Sequence, residues 1–396
     1  MLSLRFRSIL TLVFAAILIA IIGCGGMSNT ASNPSNPATP PPGGNSGGNG
    51  GGNGGGTGGG SPQASTFVYF NNGFPGTSGN ILVYKLAADG TLTSTSSSPM
   101  TDPIIVEGQS GKFLVGIAAG ATAGPAVYNV NTQTGVAQSQ VSHVHDGGGV
   151  TDGTTLYVSS IFPNGTNGAG GGIDAYSISS SGQLSLVPGS PFDQSPSDTF
   201  FSKSYGFLQI VGSFLFGDFN TVKNAGNITV FSRAASGALT RQFEFGNGNS
   251  PFGFVIHPKA RFAYVLSDVV NLDVYSLDMG ANPGASRIQQ VSVHDPNAGL
   301  LKEDPTGKYL FIFDNGLREF TIDQSSGKLT EIQAGALASD NGLRTFNIDP
   351  SGHFLIVAHA NSVNVFSINA STGALTQVGP SYAVGSDLRF ITFATF

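Results

Sequence analysis

The chain has 396 residues, enough for two average domains but equally for one all-β unit of many short strands. Charged residues make up 10% of it, against roughly a quarter in soluble proteins at large, so Ser, Thr, Asn and Gln must supply most of the polar surface. A net charge of −6 and a pI near 5.4 leave no basic stripe for phosphates, which speaks against nucleic acid as a partner, and the single cysteine excludes an internal disulfide.

Arg5 and Arg7 precede an apolar stretch from Ile9 to Ile22. That stretch is short for a membrane span and has the length of an export-signal core. It ends in Ile21, Ile22, Gly23 and Cys24, which resembles the lipobox of bacterial lipoproteins, where cleavage precedes a cysteine that is then acylated. The resemblance implies a lipoprotein signal peptide over residues 1–23, lipidation of Cys24, and a membrane partner through that anchor. The folded part would then be extracytoplasmic, in the cell envelope. Gly25 after Cys24 fits sorting to the outer membrane of a Gram-negative cell, at its periplasmic face or its surface. The alternative is that Cys24 flanks an ordinary cleavage site or an uncleaved anchor. Residues 24–65 continue as a Ser, Asn and Pro mixture and then a Gly and Asn tract between Gly43 and Gly60, which cannot build a core. They read as a disordered tether with a root-mean-square reach of roughly 35 Å.

From Thr66 onward the chain becomes short β-type runs rich in Val, Ile, Phe, Tyr and Thr, separated by tight-turn signals. One run recurs seven times: ILVYKL (81–86), AVYNV (126–130), IDAYSI (173–178), ITVFSR (228–233), LDVYSL (272–277), LREFTI (317–322) and VNVFSI (363–368). Its aromatic falls at Tyr84, Tyr128, Tyr176, Phe231, Tyr275, Phe320 and Phe366, at intervals of 44, 48, 55, 44, 45 and 46 residues. Most copies are followed by a turn and a Leu, as in DGTL (89–92) or SGKL (326–329), and preceded by a hairpin with a turn such as HPKAR (257–261), DPTGK (304–308) or DPSGH (349–353). Four strands per period of this length is the pattern of a propeller blade, which buries its faces only by stacking on its neighbours. The sequence therefore predicts an all-β, seven-bladed β-propeller of four-stranded antiparallel blades over residues 66–396. The first copy lacks an innermost strand, and RFITFATF (389–396) is left over at the other end, so the C-terminal strand is expected to complete blade 1 and close the ring.

Residues 250–268, SPFGFVIHPKARFAYVLSD, followed by LDVYSL, resemble the lactonase family of seven-bladed propellers, which includes 6-phosphogluconolactonases, and more loosely the YVTN-type surface repeats. The framework matches, with its HisPro turn and TyrVal strand. The family's ArgHis pair is replaced by Phe252 and Gly253, and its AsnGlu by Ser267 and Asp268.

In each blade the innermost strand runs away from one face and the second strand returns to it, so strand starts and strand ends meet there around a central funnel. Counting back from the turns aligns Pro103, His145, Ser204, Phe252, Gly299, Arg344 and Arg389 as the ring that opens the innermost strands. Lactone hydrolysis needs a donor at the carbonyl oxygen and a base for water. Arg344, Arg389 and His145, with Asp268 at the end of a second strand, are the candidate catalytic residues. Arg344 and Arg389 begin neighbouring blades and together suit a carboxylate or phosphate, unless each pairs with Asp340 or Asp387. His359, Asp314 and Asp218 fall on the same face, where ordinary turn chemistry is the competing reading. His143, His145 and His294 lack a clear third partner for a metal, and no motif implies a cofactor.

Two functions stay open. One is a cell-envelope lipoprotein whose propeller, as a monomer, binds an unidentified small molecule, carbohydrate, peptide or protein through its funnel face. The other is a lactonase-type hydrolase with a rearranged Arg and His site, acting on an extracytoplasmic lactone.

Overall fold

The computed structural model describes residues 64–71, 81–95, 104–118, 124–144, 148–160, 172–193, 204–220, 227–246, 251, 253–268, 271–294, 300–332, 337, 342–384, 388 and 390–396. Within them lie seven antiparallel four-stranded sheets. Blade 1 contains β1 (Thr66–Asn71), β2 (Ile81–Leu86) and β3 (Leu92–Ser94), and takes its innermost strand, β28 (Phe390–Thr395), from the other end of the chain. The remaining blades each use four consecutive strands, innermost first. Blade 2 has β4 (Ile104–Ser110), β5 (Phe113–Ala118), β6 (Pro125–Asn131) and β7 (Val136–His143). Blade 3 has β8 (Gly149–Thr151), β9 (Thr155–Ser160), β10 (Gly172–Ile178) and β11 (Leu184–Leu186). In blade 4 they are β12 (Ser204–Val211), β13 (Phe214–Asn220), β14 (Ile228–Arg233) and β15 (Leu239–Phe245). In blade 5 they are β16 (Gly253–Ile256), β17 (Phe262–Asp268), β18 (Asn271–Asp278) and β19 (Gly284–Ser292). Blade 6 is built from β20 (Leu301–Glu303), β21 (Tyr309–Phe313), β22 (Leu317–Ile322) and β23 (Leu329–Glu331). Blade 7 follows with β24 (Leu343–Ile348), β25 (Phe354–His359), β26 (Ser362–Ile368) and β27 (Leu375–Ala383). The recurring aromatic motif is the third strand of every blade.

The turns explain why the strands stop where they do. In the first hairpin of blade 6, Asp304 Oδ1 accepts the backbone N–H groups of Lys308 (2.7 Å) and Tyr309 (2.6 Å), and Oδ2 accepts that of Thr306 (2.9 Å). Asp349 repeats this in blade 7 with Ser351 (3.0 Å) and Phe354 (2.7 Å). An Asp at this point thus satisfies backbone donors that the turn would otherwise leave open.

The core consists of one apolar cluster in each seam between blades. Between blades 1 and 2, for example, Phe67, Tyr69, Ile81 and Val83 meet Leu114, Ala126 and Tyr128. Six of the seven seams share a further contact, in which a residue at the start of a second strand lies over the outer-hairpin glycine of the next blade. The pairs are Phe67 on Gly135, Phe113 on Gly182, Thr155 on Gly237, Phe262 on Gly327, Tyr309 on Gly373 and Phe354 on Gly90. A Cβ at Gly135 would sit 2.6 Å from Phe67 Cγ, and its φ of 71° is strained for any other residue. Tyrosine hydroxyls add polar stitches at the same places: Tyr69 donates to Gly135 O at 2.7 Å and Tyr264 to Gly327 O at 3.2 Å.

The ring closes as the sequence predicts. β28 pairs with β1 over six positions, from Thr66 opposite Thr395 to Asn71 opposite Phe390. Ser65 and Phe396 extend the ladder by exchanging backbone bonds of 2.7 and 3.0 Å. Side-chain amides from both neighbouring blades also hold β28: Asn347 Nδ2 donates to Ile391 O (2.8 Å) and Gln109 Nε2 to Thr395 O (2.6 Å). Deleting residues 387–396 should therefore lower the melting temperature by roughly 10 °C or more and broaden the transition, followed by calorimetry. An unchanged melt would remove closure as a source of stability.

Candidate functional site

The funnel face gathers the starts of the innermost strands and the ends of the second strands, as the pairing of Ile104 with Ala118 and of Leu343 with His359 shows. Of the ring read from the sequence, Ser204 opens β12 and Arg344 is the second residue of β24. Pro103, His145, Phe252, Gly299 and Arg389 lie outside the described residues, as do Asp340 and Asp387; His145 falls four positions before β8, and Arg389 falls one before β28. Asp268 and His359 end β17 and β25, as expected.

Three innermost strands carry a β-bulge toward this face. In β4 the register steps from Val106 to Gly108, leaving Glu107 as the extra residue, and in β12 it steps from Tyr205 to Leu208. In β24 it steps from Leu343 to Thr345, so Arg344 is the extra residue. Leu343 and Thr345 are both buried and Arg344 is exposed. A bulge re-aims a side chain that regular pleating would turn into a seam. No hydrogen bond or ion pair holds the Arg344 guanidinium among the described residues.

The bulge of β12 is held from behind by Asp218, whose carboxylate accepts the Phe207 N–H. Asp218 is buried, and that burial pushes its carboxyl up to about 7, with the backbone N–H groups of Phe207 and Gly206 acting the other way. Its Oδ2 has no hydrogen-bond partner. Ser267, where the family has Asn, is itself buried and donates to Asp273 Oδ2 at 2.6 Å. Asp273 in turn takes Gln290 Nε2 at 2.8 Å, which makes this pair a tie between the strands of blade 5 rather than part of the funnel. A second polar cluster lies between blades 5 and 6: Asp314 Oδ2 accepts Arg318 Nη1 (2.8 Å) and faces His294 Nδ1 (3.1 Å), while Arg318 grips Glu331 at 2.7 and 2.8 Å. Asp314 thus anchors the loop arriving from β19. Among the described residues no group of three or more His, Cys, Asp or Glu could hold a metal.

Further along the innermost strands, blades 4, 6 and 7 carry three polar side chains at one register that the sequence reading missed. Gln209 exchanges bonds with Ile256 of the next innermost strand (2.9 Å from its N–H, 3.4 Å to its O), and Asn347 Nδ2 donates to Ile391 O of the next innermost strand at 2.8 Å. Lys302 occupies the same register: it pairs with the third residue of its second strand, as Asn347 and Gln209 do. It is 6% exposed, and burial alone pushes its amine down to about 7. The next residue, Glu303, is buried against His257, with Nε2 and Oε1 3.8 Å apart. His257 Nδ1 accepts the Lys259 N–H at 3.1 Å, so its ring proton sits on Nε2, toward Glu303. Burial pushes Glu303 well above the carboxylate range, and burial with nearby Lys259 and Arg261 pushes His257 down to about 4, so burial disfavours charge on both. The signal was available in the sequence, since Lys302 stands two residues before Asp304 as Asn347 does before Asp349.

Lys302 sets a pH dependence. The unfolded lysine holds its proton up to about pH 10.5 and the folded one only to about 7, so the unfolded state binds more protons between those values and stability rises with pH across that window. Lys302→Met should raise stability by on the order of 4 kcal/mol at pH 6 and progressively less toward pH 10, measured by urea unfolding. An equal gain at both pH values would contradict this.

Comparison with known proteins follows the fold. Residues 224–391 match the family model described as lactonase, 7-bladed beta-propeller. No curated protein matches the sequence. Among solved structures, a candidate 6-phosphogluconolactonase from Bacteroides fragilis superposes with a TM-score of 0.61 at 18% identity, over 84% of this chain and 98% of its own. Another from Bacteroides uniformis gives 0.61 and 18%, over 83% and 99%. A functionally unknown protein from Desulfotomaculum acetoxidans gives 0.54 and 13%, over 83% and 98%. At these identities the structural likeness is one of fold. The chain is a lactonase-like seven-bladed β-propeller whose residues 224–391 match the lactonase family model.

Proposed function

We propose that the chain is a cell-envelope lipoprotein, anchored through Cys24, whose propeller binds an anionic ligand at its funnel face. The exposure of Arg344 carries the reading: a bulge holds it out of the seam between two buried neighbours, and no protein acid among the described residues takes its charge. A guanidinium without a carboxylate is a ready donor to a carboxylate or phosphate. Arg389, one residue before the adjacent innermost strand, supplies the second cation. Carbohydrate acids and acidic peptides fit this chemistry.

A lactonase reading draws support from the family match. In it, Arg344 and Arg389 would stabilise the oxyanion while His145 takes a proton from the attacking water and returns it to the leaving ring oxygen, with Asp268 as the alternative base. The departures at Phe252, Gly253 and Ser267 place it second.

The purified chain should bind small carboxylates or phosphates in calorimetry, and Arg344→Ala should weaken that binding roughly tenfold with an unchanged melt. A variant that binds as the wild type does would sink the reading. Turnover in a lactone screen, lost in both Arg344→Ala and Arg389→Ala, would promote the hydrolase. The anchor is tested separately: cells fed labelled palmitate should lipidate the wild type and not Cys24→Ala, whose propeller should be released from the membrane fraction. Labelling of both would place the lipid elsewhere.

A further inference from the structure

Lys302 carries a charge that no hydrogen bond or ion pair among the described residues explains. At the same register, Gln209 and Asn347 reach across to the backbone of the next innermost strand. Lys302 has neither such a bond nor an ion pair among the described residues, and it is nine-tenths buried. A lone buried ammonium costs several kcal/mol and invites a counter-ion from outside the chain. The strand that carries it lines the funnel beside the strand that carries Arg344. Along β24, Arg344 precedes Asn347, the equivalent of Lys302, by three residues, one of which is the bulge. At about 3.3 Å per strand residue the two backbone positions lie roughly 8–10 Å apart in depth.

We propose that Lys302 is the inner contact of the ligand site whose outer contact is Arg344, so that the funnel takes an elongated ligand with an anionic group at each end. This rests on the reading of Arg344 given above and adds the length and double charge of the ligand. A ligand with a single acid would leave either Arg344 or Lys302 unmet, and an uncharged one would leave both. The partly deprotonated amine adds a signature, because an anion arriving beside it restores the proton and binding takes up protons from buffer.

The test is calorimetry on the full chain with acetate, succinate, adipate, suberate and sebacate, in two buffers of different ionisation heat. Affinity should rise with length to a maximum near suberate, with proton uptake for the long diacids and none for acetate. Lys302→Met, expected to fold more stably, should erase the length preference and the uptake, lowering suberate affinity roughly ten- to a hundredfold to the level of acetate. Arg344→Ala should weaken every acid. If the wild type binds acetate and all the diacids equally, or if Lys302→Met binds suberate as the wild type does, Lys302 is no part of the site while the Arg344 reading stands. If no acid binds the wild type, the Arg344 reading falls first and the two-point site with it.

Discussion

The stacking of one blade on the next is the interaction on which everything else depends. A four-stranded sheet exposes two faces and cannot shield either alone, so each blade is stable only between two others. The chain secures that stacking with one contact repeated around the ring: an aromatic or threonine side chain at the start of a second strand lies on a glycine of the next blade's outer hairpin. The glycine serves twice, allowing the turn its positive φ and leaving the space the ring fills. This explains why the SerGly and ThrGly turns recur with the same period as the aromatics. Turn and core in neighbouring blades are parts of one joint.

Closure and edges follow from the same constraint. A ring of stacked blades has no free end if its first and last strands share a sheet, and β28 in blade 1 meets that condition. Seven outer edges still face water, and they are short or irregular. The outer strands of blades 1, 3 and 6 have three residues each. The longer ones, β7, β15, β19 and β27, all pair with the third strand through a bulge. A bulged or very short edge is a poor template for another chain.

The blade count, the strand order and the closing strand were legible in the sequence because they depend on periodic patterns: an aromatic near every forty-fifth residue, a turn at fixed offset, a surplus strand at one end. The funnel residues were legible only as positions. Arg344 could be placed at the mouth by counting, but its exposure depends on a bulge, and a one-residue slip in hydrogen bonding leaves no mark in composition or period. Ser267, which stands where the family has Asn, has its hydroxyl committed to Asp273 across the blade, a pairing that the sequence alone does not mark. Lys302 and Glu303 stand just before the turn at Asp304, where nothing in the local pattern marks them as buried. Their burial follows from a register visible only once blade 6 is laid over blade 7.

Charge is scarce in this chain, which sharpens the meaning of the charges that are buried. Most are accounted for within the protein: Asp273 by Ser267 and Gln290, Asp314 by Arg318, Asp304 and Asp349 by turn N–H groups. For Glu303 and His257, burial shifts both carboxyl and imidazole toward their uncharged forms. Lys302 is different, because among the described residues no acid pairs with it and no hydrogen bond holds its amine. Replacing it with Met, or with the amide its counterparts use, would lower the free energy of the fold without disturbing the ring, so stability alone gives no reason for a lysine there. A group that costs stability and sits in a wall lining the funnel is better explained by what enters the funnel than by what surrounds it.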